Sequence, residues 1–204
     1  AANATRQAMV YVAANDGMLH ALNATTGEEA WAYVPHLLLP ELYRLADNNY
    51  ANNHRYYVDG SPESADVYIN GEWRTILVGG LNKGGRGYYA LDITDPADPQ
   101  VLWEFCSDAA QCARSDADLG YTYGNPVITK NKAGTWVVAF TSGYNNTSSG
   151  DGNGHLYVRN AITGASISKI DTFITGTTPA GTTGTPSNLG KINPWIEDET
   201  DNTA

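Results

Sequence analysis

MVYVAANDGMLHALNATTGEEAWAYVP, residues 9 to 35, decides the fold, because its pattern returns twice further along the chain. Met9 to Ala13 is a β-branched and aromatic run, and Met18 to Leu22 alternates in the same way. Between them Asn15-Asp16-Gly17 supplies residues that accept positive φ, the chemistry of a tight hairpin turn. Thr25-Thr26-Gly27 makes a second turn, and Glu29 to Val34 places Trp31 and Tyr33 on one face of a third strand. The order is strand, Gly turn, strand, polar turn, aromatic strand.

The same order recurs in TILVGG (75–80), NKGGRG (82–87), YYALDI (88–93), TDPADP (94–99) and QVLWEF (100–105). A third copy runs WVVAFTSG (136–143), NNTSSGDGNG (145–154), HLYVRNA (155–161), ITG (162–164) and ASISKI (165–170). Aligning the middle strands makes Asn23, Asp92 and Asn160 equivalent, with spacings of 69 and 68 residues. Two copies carry a leading strand, ADVYIN (65–70) and NPVITK (125–130), so the full unit has four antiparallel strands.

That unit is a propeller blade, and the expected fold is an all-β partial β-propeller of about three blades plus the start of a fourth. Radial stacking buries both faces of a blade and leaves short, protected edges. A β-sandwich of short strands is the alternative, and regular spacing argues against it. The blades fall at roughly 9–35, 65–105 and 125–171. Residues 36–62 form a long inter-blade loop in which Pro40, Leu42, Leu45 and Ala46 suit one short helix. Residues 175–204 read as a Thr-, Gly- and Pro-rich linker and the start of a further blade. Propellers have about four to eight blades. The 204 residues are therefore expected to be a piece of a longer protein.

A net charge of −10 and a sequence pI near 4.6 argue against nucleic-acid binding, which needs clustered Lys and Arg. No run of about 18 apolar residues is present, so no membrane-spanning helix is expected. Cys106 and Cys112 have five residues between them, and a bridge needs Cα atoms about 4.4–6.8 Å apart. A disulfide closing a short loop is expected, with a pair of reduced thiols as the alternative; no nearby Cys or His completes a metal set. An oxidising compartment follows from the disulfide.

The long turn TSGYNNTSSGDGNGH is the candidate ligand loop. Asp151 and Asn153 alternate with Gly152 and Gly154 in the manner of small calcium loops, yet no acidic residue closes the set. A cation at Asp151 and Asn153 stands against a solvated flexible tip. The Asn-rich stretch 47–54 is read as turns. GGRG (84–87) is followed by neither a helix nor a Lys-Ser or Lys-Thr pair, so it is read as a tight turn and not a phosphate cradle. His20, His36, His54 and His155 are far apart, and no GxSxG, HExxH or Cys-His signature appears. No catalytic residue is assigned, and no enzyme is expected.

ANDGMLHALNATTGEEAWAYVP resembles the tryptophan-containing repeats of quinoprotein-like propellers. With HRYYVDGSP, VGGLNKGGRGYYALDITDP, WEF, DLGYTYGNPVI and SGYNN following in order, residues 9 to about 171 resemble the C-terminal propeller of the PilC and PilY family of type IV pilus biogenesis proteins and tip adhesins. The resemblance implies a non-enzymatic, exported protein of the pilus tip and outer-membrane surface of a Gram-negative bacterium. It implies minor pilins and a host or abiotic surface receptor as partners, and roles in pilus extension, attachment and twitching motility. Family calcium loops alternate Asp and Asn and close with Asp. No intact match occurs, and the corresponding segment falls near Glu197 to Asn202, so this piece is assigned no cofactor and calcium is left to the full-length protein. Arg86-Gly87 is followed by Tyr88, so an Arg-Gly-Asp integrin motif does not carry over. The other class is a propeller dehydrogenase dependent on pyrroloquinoline quinone, many of which place a disulfide of adjacent cysteines at the cofactor. Cys106 and Cys112 are not adjacent.

Overall fold

The alternation read from the sequence builds three antiparallel sheets stacked in chain order. The computed structural model describes residues 5–194. The first sheet holds β1 (Met9–Ala13), β2 (Leu19–Asn23) and β3 (Glu29–Tyr33). The second holds β4 (Glu63–Ile69), β5 (Glu72–Gly80), β6 (Gly87–Asp92) and β7 (Gln100–Cys106), and the third β8 (Val127–Lys130), β9 (Trp136–Thr141), β10 (His155–Asn160) and β11 (Ser166–Asp171). Each is an up-and-down meander with neighbouring strands paired antiparallel.

The equivalence of Asn23, Asp92 and Asn160 has a physical cause. Each ends the next-to-last strand of its sheet, and its side-chain oxygen accepts backbone N–H groups of the next turn. Asn23 Oδ1 takes Thr25 at 2.8 Å and Thr26 at 3.1 Å, Asp92 Oδ1 takes Thr94 at 3.0 Å, and Asn160 Oδ1 takes Ile162 at 3.0 Å and Thr163 at 2.9 Å. Two residues earlier every blade carries the same irregularity. The pairing slips between Ala21 and Leu22, Ala90 and Leu91, and Val158 and Arg159. A bulge at this place bends the outer strand and strengthens twist, which a radial array needs.

The middle blade is buried on both faces. Leu77, Tyr89 and Leu91 pack toward the first blade with Leu19, Tyr11 and Tyr33. Ile76, Val78, Tyr88 and Ala90 pack toward the third with Val138, Phe140 and Tyr157. Each large apolar side chain so enclosed contributes about 1.5–3 kcal/mol. Tryptophans on the outer strands fasten blade to blade: Trp31 Nε1 donates to Pro96 O at 2.7 Å, and Trp103 Nε1 to Ala161 O at 3.0 Å.

Two segments differ from expectation. Residues His36–Ala46 form a 3₁₀ helix that starts before Pro40 and contains it, followed by a second 3₁₀ turn, Tyr50–Asn52. Leu37 and Leu38 sink into the core, and Glu104 of β7 holds the segment's start by accepting from His36 N at 2.6 Å and Leu37 N at 3.2 Å. Docking to the blade, not helix propensity, sets this boundary. Residues 175 to 190 are no free linker. β12 (Phe173–Thr175) and β13 (Thr178–Pro179) form a small hairpin, and the chain then returns to the third blade, where Ser187 N donates to Gly152 O at 3.0 Å and Thr141 Oγ1 to Gly190 O at 2.9 Å. Thr and Gly fit here because their short side chains let backbones approach and bond. The expected start of a further blade continues into residues 195–204, outside the described residues.

Candidate functional site

Antiparallel alternation puts the turns that precede each sheet's next-to-last strand (14–18, 81–86, 142–154) and the inter-blade connections (34–62, 107–126) at one end of the blades. Functional side chains gather there in two groups.

The first group surrounds His155, the first residue of β10 and fully enclosed. Its Nδ1 lies 2.9 Å from Asp171 Oδ1 and its Nε2 3.1 Å from Asp151 Oδ1 and 3.7 Å from Asp118 Oδ2. Asp118, Asp151 and His155 each offer a ligand atom within 4.8 Å of the others. Lys169 of β11 enters from the other side, its Nζ 2.9 Å from Asp116 Oδ1 and 2.5 Å from Asp118 Oδ2. Burial pushes the Asp118 carboxyl up, but hydrogen bonds from Lys169 Nζ and Asp151 N–H, with the Lys169 and His155 charges, outweigh it and hold the group below its ordinary value. The ammonium thus stands where a cation would compensate Asp118, and the cluster works as a staple between the 116–118 connection and the 145–154 turn.

Asp151 and Asn153, expected to share a cation, are joined by the Asn153 N–H, which donates to Asp151 Oδ1 at 2.8 Å, while their side chains take different further partners. Asp151 Oδ1 faces His155, while Asn153 Oδ1 accepts Gly181 N–H at 3.3 Å, because the returning 175–190 segment occupies that side of the turn. Cys106 and Cys112 are joined in a disulfide, Cα atoms 6.0 Å apart, and pack into the core between the first two blades. The Glu197 to Asn202 stretch lies outside the described residues. His20, on β2, is bracketed by Glu29 at 2.5 Å and Asp16 at 2.9 Å; its pKa is raised, first by the Glu29 hydrogen bond, against the opposing effect of burial.

The second group escaped the sequence analysis as a group, its glycine turn at 84–87 having been read only as a tight turn. A cavity of about 610 Å³ opens among Tyr56, Lys83, Arg86, Tyr121, Tyr123 and Tyr144. Its walls come from both inter-blade connections and two blade turns, so only the Tyr-x-Tyr pair was a local signal. Among the described residues no helix is long and apolar enough to cross a membrane.

The sequence model of the PilY1 beta-propeller domain matches residues 1–200. A type IV pilus biogenesis factor PilY1 homolog of Xylella fastidiosa is 41% identical over 191 residues, 92% of this chain and 12% of the relative. The type IV pilus biogenesis factor PilY1 of Pseudomonas aeruginosa is 38% identical over 189 residues, 92% of this chain and 15% of the relative. The crystal structure of the Pseudomonas aeruginosa PilY1 C-terminal domain is similar with a TM-score of 0.68 and 36% identity, covering 87% of this chain and 32% of that one. The chain spans about an eighth of the length of these curated relatives. By that match across nearly its whole length, the chain belongs to the PilY1 β-propeller domain family.

Proposed function

We propose that this chain is the propeller part of a type IV pilus biogenesis factor that works outside the cell, at the pilus tip. There it engages minor pilins, favours extension over retraction, and contributes to surface attachment and twitching motility. The observation that carries the proposal is the family match over residues 1–200, to relatives named for pilus biogenesis.

The geometry supports a role in contact. Two packed blade interfaces make a rigid base, and long connections and turns are presented from one end of it, the usual division between scaffold and binding loops. The protein acts by binding and not by turnover in this proposal. A cation shared by Asp151 and Asp118 would compete with Lys169, which already pairs with Asp118, so calcium is proposed to act elsewhere in the full-length protein.

Deleting the gene for the protein containing this chain tests the proposal. Surface pili are expected to disappear and to return when the retraction motor is deleted as well. Normal piliation in the single deletion would overturn the role in extension.

A further inference from the structure

We infer that the tyrosine-lined cavity binds anionic saccharides, sugar chains bearing carboxylate or sulfate groups. This does not rest on the pilus role, since it is carried by side chains of this chain alone. The volume of about 610 Å³ lies within the range of small-molecule sites, about 300–1,000 Å³.

The walls are aromatic, and they are held in place. Tyr121 and Tyr144 exchange backbone hydrogen bonds of 2.7 and 2.9 Å, which ties together the blade connection and the blade turn that carry these two rings. Tyr123 stands edge-on to Tyr144 at 6.2 Å and packs near Tyr121 at 6.5 Å. Even so, Tyr56, Tyr123 and Tyr144 remain 37%, 43% and 51% exposed. A phenol ring presents an apolar face and a polar edge at little conformational cost, and a pyranose ring presents the complementary pair, a C–H face and a hydroxyl edge.

The charge is the second observation. In a chain with 22 acidic and 12 basic residues, the cavity holds Lys83 and Arg86, neither of which forms an ion pair among the described residues. Lys83 Nζ lies 4.4 Å from the centre of the Tyr56 ring, and the Arg86 guanidinium 5.1 Å from that of Tyr121. Each cation therefore covers a face of its own tyrosine, which leaves the rings of Tyr123 and Tyr144 for stacking and keeps both charges in the same cavity, where an anionic substituent on the sugar would meet them. Glu41, the carboxylate lining the cavity, is already held by Arg44 and Arg55. A neutral sugar would leave both cations unanswered. An acidic peptide that docked as an added strand would need a free backbone edge, and the Tyr121 and Tyr144 amides are spent on each other; one that docked through its carboxylates alone would leave the exposed tyrosine rings unused.

The test is calorimetric titration of the purified protein with uronate and sulfated trisaccharides, each beside a neutral trisaccharide of the same length, and with triglutamate as the acidic non-sugar. At least one anionic trisaccharide is expected to bind about tenfold or more tightly than its neutral counterpart, a difference of about 1.4 kcal/mol. Lys83→Ala is expected to erase most of that preference. Because Arg86 also donates to Asn145 O at 3.1 Å, Arg86→Ala is read only if its melting temperature is unchanged, and Lys83→Ala serves as the variant free of that contact. Tyr123→Ala combined with Tyr144→Ala is expected to weaken binding of the anionic sugar by about tenfold or more. Three results would overturn the inference: no anionic sugar outbinding its neutral partner, triglutamate binding as tightly as the best sugar, or binding that survives loss of both tyrosines.

Discussion

Gly27 and Gly164 hold the same place in two blades, four residues past Asn23 and Asn160, and each returns its N–H to that residue's carbonyl, at 2.8 and 2.9 Å. Both lie at positive φ, +77° and +65°. Alanine at either position meets the same left-handed penalty, about 1–2 kcal/mol. Their surroundings differ. Nothing lies within 4 Å of a Cβ added at Gly27, whereas at Gly164 it would stand 2.5 Å from Trp103 Cγ. The indole would have to move, and with it the Trp103 bond to Ala161 O. Gly164→Ala is therefore expected to cost about 1–3 kcal/mol beyond the cost of Gly27→Ala, from overpacking a closed interface. Urea unfolding midpoints of the two variants measure that difference. Equal costs would mean that Trp103 does not dock on the third blade's turn.

At the level of the element, the first and second blades are each fastened at the outer strand by one aromatic latch, and the second also carries a closed loop. The third blade departs from this, since Ser168 faces Val158 where Trp31 faces Ala21 and Trp103 faces Ala90. The loop at the end of β7 is closed by Cys106–Cys112, and both cysteines are buried beside Leu37 and Leu38. Constraining so short a loop in the unfolded chain is worth about 2–3 kcal/mol. Replacing both cysteines by serine is expected to lower stability by at least that amount, and reduction of the unmodified protein to lower its denaturant midpoint in the same direction. A midpoint insensitive to reductant would show the loop to be held by packing alone. Strands and turns of these elements were legible because period-two alternation and Asn or Asp at turn entries are local properties. The partners of the latches were not, because Pro96 lies 65 residues from Trp31 and Ala161 58 residues from Trp103. The 3₁₀ segment was half legible. Pro40 and the leucines marked a helical turn, but its start depends on Glu104, a residue of another strand.

Across the whole molecule, the candidate site shows the same limit more severely. Asp151 was singled out for its spacing within one turn, yet its neighbours Asp118 and His155 come from a connection and a strand, and Asn153, two residues away, turns to Gly181. Inside a turn, spacing of two does not fix a common side as it does in a strand, and a distant segment that packs against the turn, here at Gly181, decides where each side chain points. The blade stack itself leads to the broadest prediction. On β1, Tyr11 and Ala13 pack inward while Val10 and Val12 stay 47% and 43% exposed on the opposite face, and among the described residues no strand pairs with the outer edge of β1 in its three-stranded sheet. At the other end of the stack, Ile167 and Ile170 of β11 are exposed as well. Apolar residues on an open sheet face beside an unpaired edge invite association with a like surface. The 204-residue chain by itself is expected to self-associate, with a sedimentation coefficient that rises with concentration. Val10→Lys with Val12→Lys is expected to shift it toward monomer without lowering its melting temperature, because neither valine belongs to the packed core. If the chain sediments as a monomer throughout, the first blade's open face is tolerated in water. If the lysine variant associates as strongly as the parent, the contact lies elsewhere, and the exposed isoleucines of β11 are the next surface to charge.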